Sequence, residues 1–171
     1  MFKKFYPTIY VDSVYQVEFE KYKEQGFKAL FFDIDNTLVG HDAPANERSI
    51  ALISRLKDMG FAICIVSNNH EPRVKSFSDA VGADYVYEAG KPSPKGYLKA
   101  MEITGSDKDS AIFLGDQLFT DIWGANNAGM KSILVKQLGP DLYFKIKLKR
   151  MGERIVMPFY KRYARKHPQT I

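Results

Sequence analysis

Four buried-type strands constrain this chain more tightly than anything else in it. They are a strand over 28–33 built on Ala29-Leu30-Phe31-Phe32, then the apolar runs 61–66, 111–114 and 132–135. A strand with one wet face alternates apolar and polar side chains, whereas a run without alternation must be covered on both faces. Helix signals lie between the runs. Ser13-Val14-Tyr15-Gln16 reads as a capping box opening a helix that runs to about Gln25 and stops at Gly26. Pro44 is placed to open the next helix, with Ile50, Ile53 and Leu56 at helical spacing and Gly60 closing it. Pro72 suits the first turn of a third. Further helices are predicted over about 95–103 and 119–128, with a short strand near Tyr85-Val86. Strands of this kind separated by helices predict an α/β fold, a doubly wound, Rossmann-like parallel sheet with helices on both faces. Ligands of such sheets gather beyond the carboxyl ends of the strands, where strand order reverses.

The polar residues of interest stand at those ends. Asp33-Ile34-Asp35-Asn36-Thr37 follows the first run, and paired carboxylates delivered by an apolar strand need a reason, because burying them is costly without a partner. One carboxylate can attack phosphorus while a second trades protons with the leaving group and then with water. A bare D-x-D is more often a polar strand end with an Asx-type turn. Three further segments weigh against that reading here. Ser67-Asn68-Asn69 offers a hydroxyl and backbone amides to phosphate oxygens. Gly90-Lys91-Pro92 fixes an ammonium beside prolines, where it can stabilise charge on a transferring group. Gly115-Asp116 through Asp121 adds two carboxylates, and four aspartates share a small site only if a hard cation such as Mg²⁺ joins them. Asp121 also suits the first turn of a helix.

Taken in order, these four segments resemble the haloacid dehalogenase-like (HAD) hydrolase superfamily, over roughly residues 28–135. The resemblance implies that Asp33 is the nucleophile, Asp35 the general acid/base and Lys91 the charge-stabilising group. Thr37, Ser67, Asn68 and Lys91 form the expected phosphate-binding set. Mg²⁺ would be held by Asp33, Asp116 and the backbone carbonyl of Asp35, with Asp121 a further ligand or orienting group. The second aspartate points to a phosphatase rather than a dehalogenase, and hydrolysis of a phosphomonoester through an aspartyl-phosphate is the expected reaction. Only 33 residues separate Asp33 from Ser67 and 23 separate Ser67 from Lys91, which leaves no room for an inserted cap domain and implies an open site for bulky substrates. The start Phe2, Phe5, Tyr6, Tyr10 and the signature Phe32-Asp33-Ile34-Asp35-Asn36-Thr37-Leu38-Val39 are similar to the capless type IIIA branch, which holds the YqeG-like proteins and the mitochondrial phosphatidylglycerophosphate phosphatases. That branch implies a lipid phosphate monoester as substrate.

A chain of 171 residues suits a single domain, 1–171, with a basic extension over about 136–171. Its one cysteine, Cys64, lies within an apolar run and reads as a buried hydrophobe. No apolar stretch approaches the length of a membrane span, so the expectation is a cytoplasmic protein, peripheral at the inner face of the membrane at most. The charge is uneven: ten of the 25 basic residues fall from Lys136 onward against only Asp141 and Glu153, so this tail carries +8 and the remainder −3 of the net +5. Phe144-Lys145-Ile146-Lys147-Leu148-Lys149 fits either an anionic phospholipid surface or a half-buried strand, and Pro158 is expected to interrupt any long amphipathic helix. The alternatives are a phosphatase for soluble sugar or nucleotide phosphates and a receiver-like phosphoacceptor domain, which would give Asp35 no role. A nucleic-acid-binding protein ranks last, since no recognised motif accompanies the charge.

Overall fold

The computed structural model describes residues 2–140 and 144–167, apart from the side chain of Lys145. Its centre is a six-stranded, wholly parallel sheet in the order β1-β6-β5-β2-β3-β4. The strands are β1 (Ile9–Val11), β2 (Ala29–Phe32), β3 (Ala62–Val66), β4 (Asp84–Val86), β5 (Ala111–Gly115) and β6 (Lys131–Val135). The helices are α1 (Phe19–Glu24), α2 (Glu47–Asp58), α3 (Glu71–Val81), α4 (Lys95–Thr104), α5 (Trp123–Asn127) and α6 (Phe144–Lys166). The central strands β2 and β5 are buried at every position, as their unbroken apolar runs require. One face of the sheet buries Leu30, Phe32 and Ile65 under α2 and α3 residues such as Ile53 and Phe77; the other buries Phe31, Cys64 and Phe113 against Tyr97 of α4. From β2 the chain steps outward to β3 and β4, then returns to β5 on the other side of β2. The strand order therefore reverses beside β2, and Asp33 emerges there.

Several local expectations need correction. Residues 13–25 are not one helix: the Ser13 hydroxyl accepts the Tyr15 amide and closes a single 3₁₀ turn over Val14–Gln16, Val17 is extended, and α1 starts afresh at Phe19. α2 opens at Glu47, not at Pro44, because the Asn46 side chain caps the Ser49 amide while Ser49 answers the Asn46 amide. Ile50 points outward from that helix, and Leu52 takes the inner place beside Ile53 and Leu56. The stretch expected as a helix over 119–128 begins with one π turn, Leu118–Ile122, before α5. β1 carries no sequence signal of its own, because three residues, Ile9-Tyr10-Val11, are too few to show a pattern.

The largest correction concerns the tail. Phe144–Lys166 is one continuous 23-residue helix with Pro158 inside it, so neither the strand reading nor the interruption at Pro158 holds. Proline removes one helical hydrogen bond, but packing on both sides of it keeps the helix running. Val156 and Tyr160 are buried with Leu118, Ile122 and Leu134. Tyr6 meets Tyr160 and Tyr163 with ring centroids 5.6 and 5.3 Å apart, and Phe5 meets Phe119 and Trp123 edge-on. The aromatic start is thus the seat of the C-terminal helix.

Candidate active site

Asp33 continues β2 past its last ladder residue, held by its amide on the Leu114 carbonyl at 3.0 Å. Ser67 follows β3, and Asp116 follows β5. The chain then turns so that Asp121 folds back over Gly115. A Cβ at Gly115 would lie 2.6 Å from the Asp121 side chain, so only glycine fits there. One oxygen of Asp121 accepts the amides of Asp116 and Gln117, at 3.1 and 3.0 Å. Tyr97 of α4 donates to the Asp121 carbonyl at 2.9 Å and bolts the π turn from behind. Such turns occur often at functional positions.

Lys91 joins the carboxylates. Its ammonium donates to Asp33 Oδ1 at 2.8 Å and to Asp121 Oδ1 at 2.7 Å, with all three groups buried. Burial alone would depress its pKa, but Asp121 and Asp33 together raise it, so the lysine stays charged. Burial likewise pushes Asp33 up from the ordinary 3.8 to about 7; Lys91 offsets part of this, and Asp121 adds to it. Asp116 is raised well above the ordinary range by burial, with Arg150 pulling the other way and Asp121 and Asp33 adding to the rise. Oxygens of Asp33, Asp116 and Asp121 all lie within 4.8 Å of one another. Three buried carboxylates with hard oxygen donors and an excess of negative charge fit a divalent cation.

The other expected residues fall around this centre in more specific places than the sequence suggested. Asp35 lies at the rim, where its carboxylate accepts from Asn69 Nδ2 at 2.6 Å, Arg73 at 2.9 Å and the Asp42 amide at 2.9 Å. Ser67 lines the pocket and accepts the Asn69 amide at 3.2 Å. Asn68 makes a two-way clasp with the Lys91 backbone, at 3.1 and 2.8 Å, so its amide positions the lysine loop. Thr37 is buried and turns its hydroxyl to Asp116 Oδ1 at 3.4 Å, behind the pocket surface.

Sequence reasoning missed a third layer supplied by α6. Arg150 donates to both the carbonyl oxygen (2.5 Å) and the carboxylate of Asp116, and also to Glu153 Oε2 at 2.9 Å. Glu153 in turn accepts the Leu118 amide at 2.7 Å. The signal was present: Glu153 is one of two acids in the basic tail, spaced i, i+3 from Arg150. Ile146 and Lys149 of the same helix line the pocket of about 230 Å³ that holds Asp33, Asp35, Ser67 and Lys91. The site is capless between β2 and β4, where α2, β3 and α3 are the only elements, yet α6 flanks it.

A doubly wound sheet with this cluster at its switch point defines a class, the haloacid dehalogenase-like hydrolases. A family model of that description matches residues 40–129, more than half of the 171, and the chain belongs to the family. It is 37% identical over 164 residues to "Probable phosphatase YqeG" of Bacillus subtilis, covering 95% of both chains. Phosphoglycolate phosphatase of Aquifex aeolicus is 35% identical over 92 residues, 48% of this chain and 42% of that one. Among solved structures, a HAD phosphatase from Thermococcus onnurineus shares the fold at a TM-score of 0.55 and 17% identity, over 69% of this chain and 90% of that one.

Proposed function

We propose that the protein is a divalent-cation-dependent phosphomonoesterase working through an aspartyl-phosphate on Asp33. The observation that carries this reading is the buried Asp33–Lys91–Asp121 chain of contacts at the switch point of the sheet, with Ser67 on the same pocket. The Asp33 carboxylate attacks phosphorus, the P–O ester bond breaks, and Asp35 gives its proton to the departing oxygen. Asp35 then takes a proton from water, whose oxygen attacks phosphorus and releases Asp33. Lys91 balances the charge spread over the transferring oxygens, and Ser67 donates to them. Asp33, Asp116, the Asp35 carbonyl and, at the edge of the set, Asp121 are the groups suited to Mg²⁺. That ion, when bound, would neutralise the cluster and polarise the phosphoryl oxygens. Relatives named as phosphatases support the same reading.

For the substrate, we infer a lipid phosphate monoester at an anionic membrane surface, phosphatidylglycerophosphate being the favoured case. Among the described residues no helix is long and apolar enough to cross a membrane. α6, however, exposes Phe144, Leu148, Met151, Ile155 and Phe159 along one stripe beside its basic residues, the pattern of an interfacial helix. The soluble alternative draws on the phosphoglycolate and glyceraldehyde 3-phosphate phosphatases among the relatives. Turnover on phosphatidylglycerophosphate vesicles against a panel of soluble phosphomonoesters, with and without chelator, tests both levels. Chelation abolishes hydrolysis on this account. Preference for soluble esters removes the lipid substrate and leaves the phosphatase; activity indifferent to chelation removes the cation.

A further inference from the structure

A groove of about 920 Å³ runs between α6 and the β1–β6 edge of the sheet, and of its lining only Asp116, at the inner end, takes part in the reaction above. One wall is a single face of α6, because Lys147, Met151, Arg154, Met157 and Lys161 recur at spacings of three and four. Tyr10 of β1 and Leu134 and Val135 of β6 form the opposite wall, with Leu118 at the floor. The lining is thus apolar inside and cationic outside. Lys136 stands on the sheet side of the rim, facing Lys147, Arg154 and Lys161 of α6. The two carboxylates at the inner end, Asp116 and Glu153, are both already bonded to Arg150.

This distribution selects its ligand. An uncharged chain would cover the floor and leave the rim cations unneutralised, whereas a small inorganic anion would satisfy the rim and leave the floor wet. The size falls in the range of sites that enclose small ligands, about 300–1,000 Å³. A bilayer meets α6 on the neighbouring outward stripe, which includes Leu148 and Ile155 and shares only Met151 with the groove wall, and it cannot enter a concavity between helix and sheet. We propose that the groove binds a monomeric, single-chain anionic amphiphile, with the alkyl chain over Leu118, Leu134 and Met157 and the acid head among the rim lysines. The inference goes beyond the phosphatase reading and does not depend on it.

Laurate is a suitable probe, since its carboxylate head offers nothing to hydrolyse. In chelator, with protein carrying ¹³C-methyl methionine, laurate below its micelle concentration is expected to shift the Met151 and Met157 methyl signals together and saturably. Met101 and Met130, in a separate buried cluster, stay in place. Dodecyl maltoside, with the chain but no charge, and butyrate, with the charge but a short chain, each bind about tenfold more weakly or worse. Lys147→Glu combined with Lys161→Glu weakens laurate by about tenfold or more, with the Met101 and Met130 signals certifying the fold. Saturable shifts at Met151 and Met157 with this ranking support the proposal. Equal affinity for dodecyl maltoside or butyrate overturns it, as does an indifferent double variant, or binding to vesicles with none to monomeric laurate.

Discussion

At the scale of single residues, activity turns on which cation sits beside which carboxylate. Lys91 touches Asp33 and Asp121, while Lys95, four residues on, starts α4. Lys91→Ala should therefore cut turnover by about 10²–10³-fold, the usual loss of one aimed electrostatic donor, and Lys95→Ala should leave it within a few-fold. Steady-state rates on one soluble ester compare them, and the reverse ranking would show that the wrong lysine has been assigned. Arg150 acts at one remove, fixing Asp116 through its carbonyl and its carboxylate together. Losing a partner that orients a metal-binding side chain typically costs about 10–100-fold in affinity, so Arg150→Met should weaken Mg²⁺ binding in calorimetry by that order, with Arg150→Lys in between. Tighter binding by the methionine variant would instead make Arg150 a competitor for the cation's place.

At the scale of elements, the sequence was most legible where burial left no choice. The unbroken apolar runs of β2, β3, β5 and β6 could only be strands covered on both faces, and Asp33, Ser67 and Asp116 converge because β2, β3 and β5 are parallel and end together, while Lys91 reaches them from the loop after β4. What stayed hidden depends on distant partners. Asn68 looks like an ordinary turn residue until the Lys91 backbone arrives to pair with it. α6 is legible neither as strand nor as helix by its own pattern, because its stability comes from Tyr6, Leu118 and Leu134, far away in sequence. Pro158 should therefore be a cost that packing overcomes. Pro158→Ala is expected to raise urea-derived stability by about 1–3 kcal/mol, since a helix-interior proline is worse than alanine by about 3 kcal/mol and the packing around this one absorbs part of that. A loss of stability would mean that the helix needs its proline. On the outer face, Leu148→Ser with Ile155→Ser should reduce binding to anionic vesicles and spare hydrolysis of a soluble ester. Equal vesicle binding by this variant would remove the stripe from the membrane reading.

For the whole molecule, the buried carboxylates link stability to pH and to cation. Asp33 and Asp116 are harder to ionise folded than unfolded, burial being the main cause. Without cation the folded chain therefore holds more protons from the ordinary aspartate range up to about pH 7, so its stability should fall as pH rises through that window. Thermal midpoints in chelator at pH 5 and pH 8 check this, and Mg²⁺ should raise the midpoint more at pH 8. The chemistry itself rests on one event, the attack of Asp33 on phosphorus. Its most direct test is to trap the covalent state in Asp35→Asn, which keeps the nucleophile but lacks the acid/base group needed to release it. After incubation with a reactive aryl phosphate and Mg²⁺, intact mass should show one added phosphoryl group, peptide mapping should place it on Asp33, and Asp33→Asn should neither take up phosphate nor turn over. Phosphoryl transfer to another residue, or near-normal turnover by purified Asp33→Asn, would contradict the account.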